Sequence, residues 1–202
     1  YTLDGSEPTE KSALYQKPFE IKKSVTVNAS SFFKNGIKSA INDYFFEKVA
    51  PIKPGKIGTV EKGIKFNYYE IKDSKWLELP DFGKLEPTSN GIIEKIDLSM
   101  VKIEEKFGIV FEGYFKAEAE GIYTFYTTSD DGSALYIDDR QVVNNDFTHG
   151  MEEKSGQVAL QPGLFPIRIE FFQGVGGQGA STHFKAPNGE KTKLGEKIFY
   201  KK

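Results

Sequence analysis

Two adjacent carboxylates, Asp130 and Asp131, are the most distinctive polar pair in the sequence, and they lie in the run Thr128-Ser-Asp-Asp-Gly-Ser133. Carboxylates this close in a tight turn repel each other at neutral pH, so a cation or several hydrogen-bond donors would relieve the repulsion. Oxygen ligands of this kind suit Ca²⁺. Aspartate and glycine are also ordinary turn residues, so an ion site and a plain turn both stay open at this point.

A glycine-rich segment, Gly174-Val-Gly-Gly-Gln-Gly179, has the spacing of a dinucleotide-binding motif. That motif requires a helix to begin at its third glycine, whereas residues 180–187 contain β-branched and aromatic residues and end in proline. We therefore predict a flexible loop between two strands. Its backbone groups can approach a ligand at the rim of a pocket because glycine has no side chain.

Enzymatic chemistry finds little support in the remaining residues. The chain has no cysteine and only two histidines, which excludes thiol nucleophiles and argues against a zinc site. No serine has the flanking glycines of a nucleophile elbow. The 29 acidic residues are too scattered to single out a catalytic pair. We therefore expect no catalytic residue and no required cofactor in this chain.

The elements that must position these residues are strands. Apolar residues alternate with more polar ones in several stretches, such as Phe107–Phe115 and Phe165–Phe171, and the aromatic residues, 14 % of the chain, fall mainly at these alternate positions. No stretch predicts a convincing amphipathic helix. The pattern predicts an all-β chain in which a small, incomplete immunoglobulin-like sandwich precedes a larger antiparallel β-sandwich or barrel.

Prolines and glycines cluster between Lys48 and Gly58, and such a segment resists both helix formation and strand pairing. We predict a first domain over residues 1–49, a linker over 50–57 and a second domain over 58–202. The 27 basic and 29 acidic residues leave a net charge of −2, which argues against nucleic-acid binding. No apolar run is long enough to span a membrane. The chain begins without methionine, and we expect it to be part of a longer protein.

The second domain resembles the protective-antigen fourteen-kilodalton domain in the run Gly121-Ile-Tyr-Thr-Phe-Tyr-Thr-Thr-Ser-Asp-Asp-Gly-Ser-Ala-Leu-Tyr-Ile-Asp138 and in residues 145–150 and 160–172. The resemblance implies a β-sandwich or barrel module of the kind attached to bacterial glycosidases, toxins and yeast adhesins. In the sugar-binding members, two aspartates joined by a cis peptide coordinate Ca²⁺, which in turn grips sugar hydroxyls. Asp130 and Asp131 fall on that pair and are the implied calcium ligands.

One position departs from the calcium-binding adhesins, because Gln173 stands where they place an asparagine ligand. The longer amide would have to fold back to reach the same ion. We expect the aspartates, Gln173 and the glycine loop to form one end of the sandwich. Proteins bind sugars with planar polar side chains together with an aromatic face. The predicted carbohydrate-binding residues are Asp130, Asp131, Gln173, Gly176, Gly177, Gln178, Tyr136, Phe147 and Trp76. For Trp76, a core or lid position is the alternative.

Residues 1–49 resemble the small immunoglobulin-like repeat at the C-terminal end of bacterial chitobiases and β-N-acetylhexosaminidases. The resemblance rests on Tyr1-Thr-Leu-Asp-Gly-Ser-Glu-Pro-Thr9, Pro18–Ile21 and Val25–Val27, without the strands that normally come before them. Together the two resemblances imply the C-terminal part of a secreted, periplasmic or cell-surface bacterial glycoside hydrolase, most plausibly a β-hexosaminidase, whose catalytic domain lies upstream.

Three functions stay open for such a chain. The leading hypothesis is a non-catalytic module that binds carbohydrate or positions substrate for the glycosidase. The main alternative is a structural spacer or lid that packs on the upstream catalytic domain, and the third is an adhesion or protein-interaction module. All three can use the same scaffold.

Overall fold

The computed structural model describes residues 1–70 and 76–201, and the chain divides into two compact units, Tyr1–Ala50 and Pro51–Lys202. Regular structure in the described residues is almost entirely strand, so the all-β fold class predicted from the period-two pattern is confirmed. No helix in the described ranges is long and apolar enough to cross a membrane.

The small unit holds an antiparallel pair of strands, β1 (Val25–Ala29) and β2 (Asn42–Phe46). All five residues of β2 are exposed, including the aromatic residues Tyr44, Phe45 and Phe46. A two-stranded pair has no second layer against which to bury such side chains. In this unit, sequence alternation therefore predicts the strands but not the burial of their apolar residues.

The larger unit contains the remaining strands of the described chain. In order they are β3 (Val60–Lys62), β4 (Ile64–Glu70), β5 (Ser89–Ile93), β6 (Phe107–Ala117), β7 (Gly121–Asp130), β8 (Ser133–Ile137), β9 (Arg140–Asn145), β10 (Glu152–Leu160), β11 (Gly163–Gln173), β12 (Gly179–Lys185), β13 (Lys191–Lys193) and β14 (Ile198–Lys201). Two short 3₁₀ helices, Phe82–Lys84 and Leu194–Lys197, lie between them.

These strands form two antiparallel sheets. The smaller sheet has the order β10-β7-β12-β13. The larger sheet has the order β3-β14-β6-β11-β8-β9, with β4 beside β6 and β5 beside β4. Strands β6 and β11 pair along their whole length, from Ala117 opposite Gly163 to Phe107 opposite Gln173. Because side chains alternate along each strand, every second residue of these strands faces the other sheet.

Aromatic side chains join the two sheets in the core. Phe115 on β6 makes edge-on contacts with Tyr123, Phe125 and Phe184 of the smaller sheet, at centroid distances of 5.5, 4.9 and 5.2 Å. All four residues are buried. Rings packed in this geometry stabilise a core beyond the area that they bury. Much of the aromatic excess of the sequence is therefore explained by packing between the sheets.

A second apolar cluster covers part of the outer face of the larger sheet. The ring of Trp76 meets Phe82 and Phe172 edge-on, at centroid distances of 5.9 and 6.3 Å. Tyr69 and Val110 are buried in the same cluster. The edges of the Trp76 ring are thus packed in this cluster, while the residue remains partly exposed.

Part of the predicted linker pairs with the larger unit instead of standing free. The Ile52 N–H donates to the carbonyl of Ala159 at 2.9 Å, and the Gln161 N–H donates to the carbonyl of Ile52 at 2.9 Å. Pro54 packs against Gly163, where an added Cβ would come within 2.4 Å of the proline ring. The larger unit therefore begins at residue 51 rather than at the predicted residue 58. Prolines resist strand pairing, but Ile52, which lies between Pro51 and Pro54, still has an N–H and a C=O that pair with the larger unit.

Candidate functional site

Two turns of the chain meet at one end of the sandwich. Asp130 is the last residue of β7, and Asp131 follows in the turn to β8. The peptide bond between the two aspartates is cis. Gln173 ends β11, and the glycine loop after it returns to β12, whose first residue, Gly179, pairs with Asp130. Strand pairing therefore brings the aspartates, Gln173 and the glycine loop together, as the sequence predicts.

Asp131 holds two loops by their backbone. The residue is 5 % exposed, and its Oδ1 accepts the N–H of His149 at 3.0 Å while its Oδ2 accepts the N–H of Gly174 at 2.8 Å. Hydrogen bonds to a charged group are stronger than those between neutral groups. Two backbone donors therefore relieve the repulsion expected in this turn, and they fix the loop 146–150 and the start of the glycine loop.

Asp130 has a different environment. It is partly exposed, and its carboxylate accepts no hydrogen bond from any described residue. Gly177 lies against it, because a Cβ added at this glycine would be 3.1 Å from Asp130 Oδ2. The glycine loop is itself held, since the N–H of Gly176 donates to Glu105 at 3.0 Å. Asp130 is therefore the carboxylate of this end that is free to meet a ligand.

Gln173 is fully buried, and its side chain folds over the glycine loop. Its Nε2 donates to the carbonyl of Gly177 at 2.6 Å, while its Oε1 is buried without a hydrogen-bond partner in the described structure. No group of three or more His, Asp or Glu residues in the described ranges is arranged to hold a metal ion. A cation at this end would therefore need amide or carbonyl oxygens beside the two carboxylates. The unpartnered Gln173 Oε1 and an all-oxygen donor set fit Ca²⁺ in this respect.

A buried polar network underlies the aspartate turn, and the sequence analysis did not identify it. Ser129 and Ser133 flank the turn, with their hydroxyl oxygens 2.7 Å apart, and Asn145 Nδ2 donates to the Ser129 hydroxyl at 3.1 Å. All three residues are at most 3 % exposed. Asn145 stands two positions after the buried Val143, so the alternation of β9 was the signal that its polar side chain points inward.

His149 uses both ring nitrogens within the loop 146–150 and the strand before it. Nδ1 lies 2.8 Å from the carbonyl of Gly150, and Nε2 lies 3.1 Å from the carbonyl of Asn145. Burial opposes the charged imidazole, but these two acceptors, together with the nearby carboxylates of Glu152 and Asp131, raise the pKa of His149 above its usual value. Both ring nitrogens of His149 are therefore engaged by backbone carbonyls.

Exposed apolar side chains surround the aspartate turn on several loops. Phe147, whose N–H donates to Asp146 Oδ1 at 2.7 Å, is 60 % exposed and has a φ of 76°. Leu77, Met151 and Val175 are also exposed, at 65, 57 and 64 %. The Leu77 carbonyl accepts the Thr148 N–H at 3.1 Å, which ties this residue to the same loop. An open aromatic face therefore stands on the loop that Asp131 holds.

The structure does not bring every predicted site residue to this end. Gly176, Gly177 and Gln178 lie in the glycine loop and are exposed. Trp76 lies near this end, with its carbonyl oxygen 3.6 Å from a Cβ added at Gly174, but its ring turns into the outer-face cluster described above. Tyr136 lies on the outer face of β8, opposite Arg168 of β11, and not at the aspartate turn. The prediction was wrong because a period-two pattern assigns a residue to a face of the sheet but not to its neighbours on the adjacent strands.

Two family models match the sequence. The PA14 domain matches residues 85–197, and the model described as Fn3 associated matches residues 1–43. No curated protein matches the chain.

Solved structures resemble the fold of the larger unit. An anti-sigma factor domain-containing protein is 19 % identical with a TM-score of 0.59, and the match covers 70 % of this chain and 49 % of that one, so the chain spans about half of its length. The PA14 sugar-binding domain from an RTX adhesin is 14 % identical with a TM-score of 0.59, covering 69 and 99 %. The A domain of epithelial adhesin 9 from Candida glabrata, in complex with Galβ1-3GlcNAc, is 16 % identical with a TM-score of 0.54, covering 70 and 90 %.

Proposed function

Because this chain belongs to the PA14 domain family, we propose that its larger unit is a non-catalytic module that binds carbohydrate. The single observation that carries the proposal is the environment of Asp130, whose partly exposed carboxylate has no hydrogen bond from the described residues and stands beside the loop that presents Phe147. Carbohydrate sites combine a few directed polar groups with an aromatic face. The adhesin domains of the same fold, one described as sugar-binding and one in complex with a disaccharide, support the proposal.

Calcium belongs to the proposal as the cation of this site. Asp130, Asp131 and Gln173 Oε1 would hold it, and when bound it would supply positive charge for sugar hydroxyls to coordinate. The residues of the chain have their own roles in this scheme. Asp131 keeps the two loops together through its backbone contacts, and Phe147 offers an apolar surface to the ligand.

We extend the proposal to the longer protein. The module would serve a secreted or surface glycoside hydrolase of the β-hexosaminidase type, with the catalytic domain upstream. The Fn3-associated match over residues 1–43 and the resemblance of residues 1–49 to the C-terminal repeat of such enzymes support this placement. A spacer or lid on the catalytic domain, or an adhesion module, is the outcome to be accepted if the isolated chain binds no glycan.

The test is a calorimetric titration of the 202-residue chain against a panel of galactose-, glucose- and N-acetylglucosamine-containing oligosaccharides, with calcium and then with a chelator. We expect binding to at least one glycan and a loss of at least about tenfold in affinity in Asp130→Ala. Asp138→Asn is the matched control, since Asp138 is an exposed turn residue beyond the far end of β8.

Three results would count against parts of this proposal. Absence of binding to every glycan, or equal affinity in Asp130→Ala and the wild type, refutes carbohydrate binding at this end. Binding that survives the chelator unchanged refutes the calcium ion alone. Deletion of the module from the longer protein, with a loss of activity but no glycan affinity in the module itself, supports the spacer.

A further inference from the structure

A groove on the outer face of the larger sheet lies apart from the aspartate turn. It has a volume of about 240 Å³. It lies where β6 changes its neighbour, because β6 pairs with β4 as far as Glu112 and with β14 from Tyr114. Gly113 lies at the change, and a Cβ there would be 2.5 Å from the carbonyl oxygen of Phe199. One strand edge cannot pair with two strands at the same residue, so β4 and β14 part at Gly113 and leave a depression.

A row of polar side chains crosses the groove, one from each of four neighbouring strands. Lys65 stands opposite Glu112, Glu112 opposite Arg168, and Arg168 opposite Tyr136. Arg168 forms ion pairs with Glu112 and with Glu170, whose Oε1 is 2.7 Å from Arg168 Nε. Carboxylates on both sides hold the planar guanidinium in one orientation. A ligand that bonds to it would therefore immobilise little that is not already fixed.

Three tyrosines line the same groove, Tyr114, Tyr136 and Tyr200, and each is partly exposed. None of the three rings stacks on another aromatic ring of the described chain. This distinguishes them from Trp76 on the same sheet face, whose ring is covered at its edges by two phenylalanines. Burial and the nearby Glu170 raise the pKa of Tyr136, so its hydroxyl remains a donor across the neutral range.

The charges at the groove nearly cancel. Lys65 and Arg168 are positive, and Glu112, Glu170 and Asp139 are negative. A phosphate or a nucleic acid would meet three repulsive and two attractive groups here, and a wholly apolar ligand would leave the ion pairs desolvated. A neutral molecule with hydroxyl groups on its edges and an apolar ring face matches both features.

We infer that this groove is a second carbohydrate site, which binds an uncharged saccharide by tyrosine contact and by hydrogen bonds to the ion-paired row of Arg168. It goes beyond the site of the proposed function. Arg168 and Gln173 are five residues apart on β11, which corresponds to about 17 Å. The groove includes neither aspartate of the turn, so its binding does not depend on a metal ion held there.

The test uses the full chain carrying Asp130→Ala, in the presence of a chelator, so that the aspartate turn does not contribute. Uncharged tetrasaccharides of β-1,4-glucose, α-1,4-glucose and β-1,4-N-acetylglucosamine are the probes. We expect one of them to shift the amide NMR signals of β6, β8 and β11 around Glu112, Tyr136 and Arg168. Tyr136→Ala in the same background should weaken that binding by about tenfold. Tyr126→Ala, a partly buried tyrosine of the smaller sheet that faces Lys191, is the matched control and should leave it unchanged.

Each alternative result has a defined meaning. If no tetrasaccharide shifts these signals, or if Tyr136→Ala and Tyr126→Ala bind equally, the second site is refuted. If Tyr136→Ala fails to fold, the amide NMR shifts of the Asp130→Ala chain that retains Tyr136 still decide whether the groove binds a saccharide. If the wild type shows no binding at the aspartate turn while the amide signals around the groove still shift, the proposed function is refuted and the second site is supported.

Discussion

The same dipeptide, Asp-Asp, stands at both ends of strand β8, and the two copies have different surroundings. Asp130 and Asp131 precede the strand, and Asp131 is buried with both carboxylate oxygens bonded to backbone N–H groups. Asp138 and Asp139 follow the strand and are exposed in the two-residue turn to β9, with φ values of 51° and 60°. Both φ values are positive, as a type I′ hairpin requires.

The difference shows that the hydrogen-bond partners of an aspartate decide its structural role. The residue type and the presence of a second aspartate beside it are the same in both pairs. The hairpin pair satisfies a local need, because aspartate tolerates the left-handed region better than most residues. The first pair answers a long-range need, since Asp131 bonds residues 18 and 43 positions away. Three changes test how far this contrast reaches, and they are ordered by the size of the expected effect.

The largest effect should come from Asp131→Asn. An amide keeps one acceptor oxygen but turns its NH₂ toward a backbone N–H, so one buried bond is lost and a donor faces a donor. We expect the free energy of unfolding in urea to fall by about 2 to 3 kcal/mol. Asp139→Asn is the matched control and should change it by less than about 0.5 kcal/mol, because asparagine suits a type I′ turn. Equal effects of the two variants would remove the distinction between the turns.

A smaller effect should come from the pH dependence of the loop that Asp131 holds. The pKa of His149 is raised in the folded protein, although burial opposes it, because two carbonyls accept from the imidazolium and Glu152 and Asp131 lie nearby. The stability that charged His149 contributes is therefore complete below about pH 6.5, the pKa of histidine in the unfolded chain, and is lost as the pH rises through the higher pKa of the folded state. Its size should be about that of one hydrogen bond, about 1 kcal/mol.

Urea unfolding across pH 5 to 9 measures this, with pH steps chosen around the ordinary histidine range of about 6.5. His149→Gln should remove the fall in stability with rising pH. His183→Gln is the control of opposite sign, because burial and then Lys191 lower the pKa of His183. That histidine makes the protein less stable as the pH falls. If the free energy of unfolding depends on pH in the same way in the wild type and in His149→Gln, the charged imidazole does not stabilise the loop.

The smallest effect should come from Asp139→Gly. Glycine relieves the positive φ of 60° but increases the freedom of the unfolded chain, so the two contributions largely cancel. We expect the free energy of unfolding to change by less than about 0.5 kcal/mol in either direction. Thermal unfolding is sufficient to measure it. A loss above about 1 kcal/mol would reveal a partner for Asp139 and would make the two turns more alike than they look.

The strands of the core and a turn at Asp130–Asp131 were predictable from the sequence, because alternation and turn chemistry are local. The hydrogen bonds of Asp131 were not, since the family resemblance brings the glycine loop to the same end but nothing near residue 131 indicates that its carboxylate accepts the N–H groups of His149 and Gly174. Tyr136 illustrates the same limit. Its alternation with Leu135 and Ile137 predicts an outward side chain, but only the register of β8 with β11 shows that Arg168, and not the aspartate turn, is its neighbour.

Ile52 has a consequence for where this module can be cut. Strand β10 is the last strand of the smaller sheet, and Ile52 occupies backbone groups at its end that would otherwise be open. Open strand edges recruit the edges of other chains, which is a common route to aggregation. A module that started at residue 58 would lose this protection together with the contact between Pro54 and Gly163. The short proline-flanked segment therefore covers the backbone groups of Ala159 and Gln161 at this end of β10.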